Sequence, residues 1–459
     1  MSVALPIGGT VLRRRESAAA AAATSPARPG ISRAYAWLVF ALTLGLLLSD
    51  YMSRQVLNAV FPLLKAEWGL SDTQLGSLSG IVALMVGLLT IPLSLLADRW
   101  GRVNSLTLMA VLWSLATLGC GLAQSYGQMF TARLFVGVGE AAYGSVGIAV
   151  ILAVFPAHMR ATLTGAFTSG GMFGSVLGMG LGGITATQFG WRWSFWVMAV
   201  FGLLLVALYR LLVSDAKVTP PREVTRVDAA HPHSRIVPFR TLLPGLFSST
   251  AVICAYVGSG LQLLVMASLL AWLPSFLNRY YMLAPDRAGI GAAVFVLVSG
   301  AGMIVCGYLT DRLSRNQPVR KLVMAIGYCL TTFALLSVAY QLPPGPAQLV
   351  VLGFGVFLAA GTTGPAGAMV ANLTHASIHA TAFATLTLAN NMLGLAPGPI
   401  LTGMMADHWD LLTALQVITF ACVASAAAFA VGIRHYETDL ARLRDSNGGL
   451  RSGAAGSAA

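Results

Sequence analysis

The sequence predicts an all-α integral membrane protein of twelve transmembrane helices in two pseudo-symmetric six-helix bundles. Three observations predict it. Of 459 residues, 56% are hydrophobic and only 10% charged, with a mean hydropathy of +0.76; a soluble domain carries roughly 25% charged residues. Apolar runs long enough for a ~30 Å hydrocarbon core recur from Trp37 to Val431. Finally, SLLADRWGR at 94–102 is echoed 213 residues later by GYLTDRLSR at 307–315, each between the second and third spans of its own half. Internal repeats of this kind mark secondary transporters, whose site lies near midplane between the halves.

In chain order, the length criterion gives spans at 36–60, 73–97, 104–124, 128–155, 162–187 and 193–213, then 246–277, 287–310, 320–341, 347–373, 380–405 and 411–433. The fifth and tenth are rich in Gly and least sharply apolar. Residues 214–244 concentrate charge and Pro and read as a linker. The organisation expected is a cytoplasmic tail at 1–33, bundles at 34–213 and 245–434 joined by that linker, and a second cytoplasmic tail at 435–459. Residues 1–32 and 446–459 have the composition of disordered ends. The tail's Arg cluster and Ala run lack a signal peptide's order, because the apolar core starts only near Ala36 and is too long.

The net charge of +12 is a topology signal. With the N-terminus in the cytoplasm, 22 of the 28 Lys and Arg fall on cytoplasmic segments, four (Lys65, Arg192, Arg279, Arg287) on outer loops, and two, Arg54 and Arg133, inside the membrane. That bias places both termini inside by the positive-inside rule, in the plasma membrane or the inner membrane of a Gram-negative cell, and leaves no case for a nucleic-acid partner. The five cysteines all fall in spans without metal-ligand spacing. There is no P-loop to drive transport with ATP, and no soluble-enzyme pattern. No cofactor or metal is expected.

The pattern G-x-x-x-D-R-x-G-R between the second and third spans is the signature that the chain resembles: that of the major facilitator superfamily. Here Ser94 replaces the first Gly, and the second copy has Ser314 for the later one. Arg133-x-x-x-Gly137-x-Gly139 resembles the family's fourth-helix motif. SDTQLGSLSG (71–80), GVGEAAYGS (137–145) and WRWSF (191–195) look like the Spinster-type branch, whose better-known members move lysolipids and sphingolipids. That branch has N-Y-x-D-R in its first helix; this chain has Asp50-Tyr51-Met52-Ser53-Arg54, with the acid displaced by three residues, close to the same face. The resemblance implies that Asp98 latches the cytoplasmic side onto the eleventh helix in the outward-open state, with Arg99 and Arg102 beside it and Asp311 and Arg312 as the second copy.

Asp50 and Glu140 are the only acids at bilayer depth. A charge there costs at least ~2.5–3.5 kcal/mol on insertion scales and is rarely kept without a use. Asp50 and Arg54 share a helix face, as do Arg133 and Glu140. The four are expected to form a proton-coupling and substrate site, with Tyr51 beside them and Gln262, Asn390 and Asn391 as amides from the second half. The bland alternative is a set of ion pairs that fix the first and fourth helices. His375 and His379 fall in the loop before span eleven. Gly170, Gly174, Gly178 and Gly182 repeat every four residues along span five and predict a close packing seam, expected to move against the other half. Two functions follow: proton-coupled export of a small organic or amphipathic solute by a monomeric carrier, or proton-coupled uptake of a small organic anion. A non-transporting receptor of the same fold is a third.

Overall fold

The computed structural model describes residues 32–218, 247, 249–315, 317, 319–374 and 379–456. The first helices are α1 (Arg33–Trp68), α2 (Asp72–Trp100), α3 (Arg102–Leu122), α4 (Tyr126–Val154), α5 (Arg160–Phe189) and α6 (Trp191–Leu212). The second set is α7 (Thr250–Tyr281), α8 (Pro285–Leu313), α9 (Arg320–Ala339), α10 (Pro346–Leu373), α11 (379–408) and α12, which starts at Leu411. Ten are long and apolar enough to cross a membrane by composition; α5 and α11 complete the twelve. The Gly content of α5 was legible. The tenth is broken by a 3₁₀ turn at Ala360–Thr362, and the eleventh is irregular as well, interrupted by a π segment at Asn391–Leu395 just before Pro397.

Local chemistry explains several boundaries. Gly69 ends α1 in the left-handed region at φ 62°, where Gly alone carries no Cβ penalty. Ser71 and Gln74 then form a reciprocal capping box that starts α2, with bonds of 3.1 and 3.0 Å. Ser249 caps α7, and its hydroxyl and the Ala251 amide donate to Asp439 at 2.8 and 3.0 Å. That contact anchors α12 beyond the apolar run. Its last segment continues as helix to Gly456, where disorder was expected from residue 446, since an anchored helix extends at little cost. Of the expected tail and linker, residues 1–31 and 219–244 lie outside the described residues, as does His375.

The four glycines spaced along α5 face α1 within their own half. A Cβ at Gly174 or Gly178 would meet the Leu48 or Met52 carbonyl oxygen at 2.7 Å, and one at Gly182 the Val56 side chain at 2.9 Å. Gly170 meets Leu44 in the same way. The seam between the halves uses a different strip: Gly289 on α8 lies against the Met179 carbonyl, Gly300 against the Met172 side chain, and Gly183 on α5 against Pro285. The α5 stripe is therefore packing inside a bundle, and its neighbouring face borders the other half.

α2 and α11 show where the halves part. Away from the linker, Gly76 lies against the Pro399 carbonyl and Gly403 against the Asp72 carbonyl, backbone to backbone. Toward the linker, α2 residues Ile91, Ser94 and Leu95 and α11 residues Thr381, Phe383 and Thr387 line a cavity between them. On the closed face, Arg279 of α7 donates two bonds to Asp72, at 2.8 and 2.5 Å, and Lys65 adds one at 2.6 Å. The Asp407 carboxylate at the end of α11 accepts the amides of Asp72 and Thr73 and the Thr73 hydroxyl at 2.6–2.8 Å, the arrangement that a helix N-terminus favours.

Candidate functional site

Asp50 on α1 and Glu140 on α4 are both 3% exposed. Arg54 lies between them: its Nε donates to Glu140 Oε2 at 2.7 Å and stands 3.9 Å from Asp50 Oδ1. Ser53 Oγ is 3.4 Å from the other Glu140 oxygen. Asp50 Oδ1 has no hydrogen-bond partner. Arg54 is the one cation of the cluster with surface to offer, with 20% of its side chain exposed.

Arg133 shares a helix face with Glu140 but makes no ion pair with it, the Glu140 carboxylate pairing with Arg54 instead. Arg133 is 1% exposed and spends its donors on carbonyls: Leu78 at 3.2 Å, Ser53 at 2.9 Å and Arg54 at 3.4 Å. The reason is helix approach. Gly137 lets α4 rest on Val82 of α2, and Gly139 lets it rest on Trp113 of α3, each with room for no Cβ. With α4 so close to α2, the Arg133 guanidinium reaches the Leu78 carbonyl of α2 and extends on to the Ser53 and Arg54 carbonyls of α1. Arg133 thus binds the helices together, and one guanidinium serves both carboxylates.

Two chambers meet at this cluster. The one toward the linker has a volume of about 820 Å³ and is lined by Asp50, Tyr51, Arg54 and Glu140, by hydroxyls such as Thr90, Ser94 and Thr387, and by Asn391. Its remaining wall is apolar, with Leu47, Ile91 and Phe383 among others. The inner chamber, about 310 Å³, shares Tyr51 and Arg54 and adds Gln55, Asn58, Ser79 and Arg133. Neither Gln262 nor Asn390 lines these chambers. Gln262 is buried and donates to the Ala359 carbonyl at 3.4 Å; Asn390 Oδ1 is buried without a partner.

Three helices lose regularity around the cavity. α4 breaks immediately after Glu140, and the Thr90 hydroxyl caps the Ala141 carbonyl at 2.7 Å. α10 carries a 3₁₀ turn at Ala360–Thr362, and α11 its π segment, where the Ala396 amide bonds to the Asn391 carbonyl at 2.9 Å. Irregular backbone at membrane depth is tolerated only where it is buried in protein or lines a wet cavity, and π segments concentrate at functional sites.

Of the gating residues, Arg102 donates to the Ala149 carbonyl at 3.3 Å, and Asp311 pairs with Lys321 at 2.7 Å. Arg99 and Arg312 are exposed. The side chains of Asp98 and His379 are outside the described residues. Gln55, Asn58, Thr90 and Thr387 were missed at the sequence level. For the first two a signal existed: Tyr51, Arg54, Gln55 and Asn58 follow the i, i+3, i+4, i+7 spacing of one helical face.

The family model for the Major Facilitator Superfamily matches residues 43–283 and 249–452. The chain belongs to that superfamily. It is 26% identical over 396 residues to a probable L-galactonate transporter of Escherichia coli, covering 83% of this chain and 85% of the relative. It is also 26% identical over 390 residues to the probable sphingolipid transporter spinster homolog 2 of Arabidopsis thaliana, covering 81% of this chain and 78% of the relative. Among solved structures, a bacterial homolog to the human lysosomal transporter Spinster, inward-facing and unoccupied, superposes with a TM-score of 0.78 at 20% identity, over 89% of this chain and 99% of that one. The superfamily member described here is a multi-pass membrane transporter of a small molecule and not an enzyme, and its likeness to Spinster-type proteins matches the resemblance in the sequence.

Proposed function

We propose that the protein is a proton-coupled carrier that takes up a small organic anion by alternating access. The observation that supports this most directly is Arg54, the single cation lining the linker-side chamber among the described residues, held by Glu140 at 2.7 Å with Asp50 at 3.9 Å. Protonation of the acids removes its partners and frees a planar guanidinium that suits a carboxylate. Proton and anion then compete for one electrostatic balance. By linkage, each proton bound raises anion affinity, and the anion raises proton affinity. Asp50 is the acid assigned the first proton, because one of its oxygens lacks a partner.

The charge bias of the sequence puts the linker and both termini in the cytoplasm. The linker-side chamber is then the cytoplasmic access, the Asp72–Arg279 face is the closed outer gate, and an inward proton gradient drives net uptake across the plasma membrane. The carrier is assigned as a monomer, with its site between its own two halves. The relatives named for L-galactonate and for hexuronate transport support an anionic solute.

A second reading, export of an amphipathic solute, has the apolar wall of Leu47, Ile91 and Phe383 in its favour. Thermal stabilisation of the purified protein by a solute panel separates the two, since a ligand stabilises the state it binds. Organic anions should stabilise it more at mildly acidic than at alkaline pH, and Arg54→Gln should abolish the effect. Stabilisation by neutral amphiphiles alone, undiminished in Arg54→Gln, would replace uptake of an anion with the second reading.

A further inference from the structure

The inner chamber holds chemistry that the acid–arginine cluster does not use. Asn58 is 4% exposed, and its Nδ2 donates to Gln55 Oε1 at 2.7 Å. Its Oδ1 is buried and has no partner. A buried polar atom without a partner is a standing cost, and placed polar groups in a cavity wall are what fix a ligand's orientation and specificity. Both amides lie on the face of α1 that carries Arg54, and Asn58 is one turn, ~6 Å, further along the axis. The chamber wall here also includes Ser79 of α2 and Ser175 of α5.

We infer that the Gln55–Asn58 amide pair reads a hydroxyl group on the transported anion while Arg54 holds its carboxylate. This rests on the reading of Arg54 as the anion anchor. The solute class is a hydroxylated monocarboxylate, with a hydroxyl carried beyond the carbon next to the carboxylate. Its O–H donates to Asn58 Oδ1, and Gln55 keeps the amide in register by holding Nδ2. An alkyl carboxylate of the same length satisfies Arg54 but leaves Asn58 unpartnered. A site built to hydrogen-bond a hydroxyl rejects the analogue that lacks it more strongly than an apolar pocket rejects a change of one methylene. Asn58 is thus a specificity residue, and Gln55 positions it.

The test is titration calorimetry on the purified full-length protein at mildly acidic pH with two probes, D-gluconate and hexanoate. Gluconate should bind at least about 10-fold more tightly. In Asn58→Leu that preference should collapse through weaker gluconate binding, with hexanoate unchanged. Gln55→Met, at a half-buried position, should lower the preference in the same direction and serves if Asn58→Leu does not fold. Equal affinities in the parent, or equal weakening of both probes in the variants, would overturn the inference and leave the anion anchor standing, provided Arg54→Gln still loses both. Binding of neither probe by the parent would overturn the hydroxyl reading together with the proposed function.

Discussion

Removing Arg279 should open the outer face. The Asp72 side chain is only 3% exposed and receives two bonds from Arg279 across the halves and one from Lys65 within the first half. Hydrogen bonds to charged groups contribute ~1.5–3 kcal/mol each. Arg279 is 27% exposed, and the Lys65 bridge survives its loss, so the low end applies to the pair, about 2–3 kcal/mol. At 1.4 kcal/mol per decade, that is roughly a 30- to 140-fold shift in the access equilibrium. The full shift applies because the contact joins α2 to α7 and is lost when the halves separate on that face. The assay is labelling of Ala271→Cys, which lines the inner chamber, with a membrane-impermeant maleimide from outside, in a background lacking the five native cysteines. Arg279→Met should speed labelling by at least about 10-fold. Lys65→Met breaks only a bridge inside the first half and should change it far less. Equal rates in the parent and Arg279→Met, or the same gain from Lys65→Met, would refute the assignment of Arg279 as the inter-half lock.

The remaining expectations concern coupling, packing, gating and topology. Asp50→Asn keeps size and hydrogen bonding but removes the proton; it should abolish pH-driven net transport in proteoliposomes while exchange without a gradient survives, and unchanged pH dependence in the Asp50→Asn, Glu140→Gln double variant would reduce the cluster to helix-packing ion pairs. Gly178→Ala places a Cβ 2.7 Å from the Met52 carbonyl oxygen and should lower thermal stability by about 1–3 kcal/mol, whereas Gly180→Ala, with nothing within 4 Å, should be neutral or better, as melting in detergent would reveal. Asp98→Ala should insert normally yet depress transport, and full activity would return that residue to an ordinary loop charge. A reporter after Arg451 and one near Asp228 should both remain cytoplasmic; an external signal from either breaks the orientation.

By itself the sequence determined the membrane class, the near-positions of twelve helices and the charges worth attention. Each of these is local or additive. Span length follows from hydrocarbon thickness, loop bias from counting Lys and Arg, and the cost of Asp50 and Glu140 from their depth. Spacing along one helix also made Asp50 and Arg54 neighbours. What it did not determine is which groups meet across helices. Arg133 is as close in sequence to Glu140 as a face-sharing pair requires, yet it goes to carbonyls of α1 and α2. Contacts of Gly137 and Gly139 set how deeply α4 sinks between its neighbours, and that depth decides the partner. The Gly stripe of α5 likewise shows that a close approach exists without saying that α1, rather than α8, fills it. Nor does local pattern reveal that Asp72 and Asp407, both near the ends of apolar runs, join the halves on one face, since their partners lie more than 200 and 300 residues away. Helix rotation and approach are properties of the packed bundle, and only the tertiary structure supplies them.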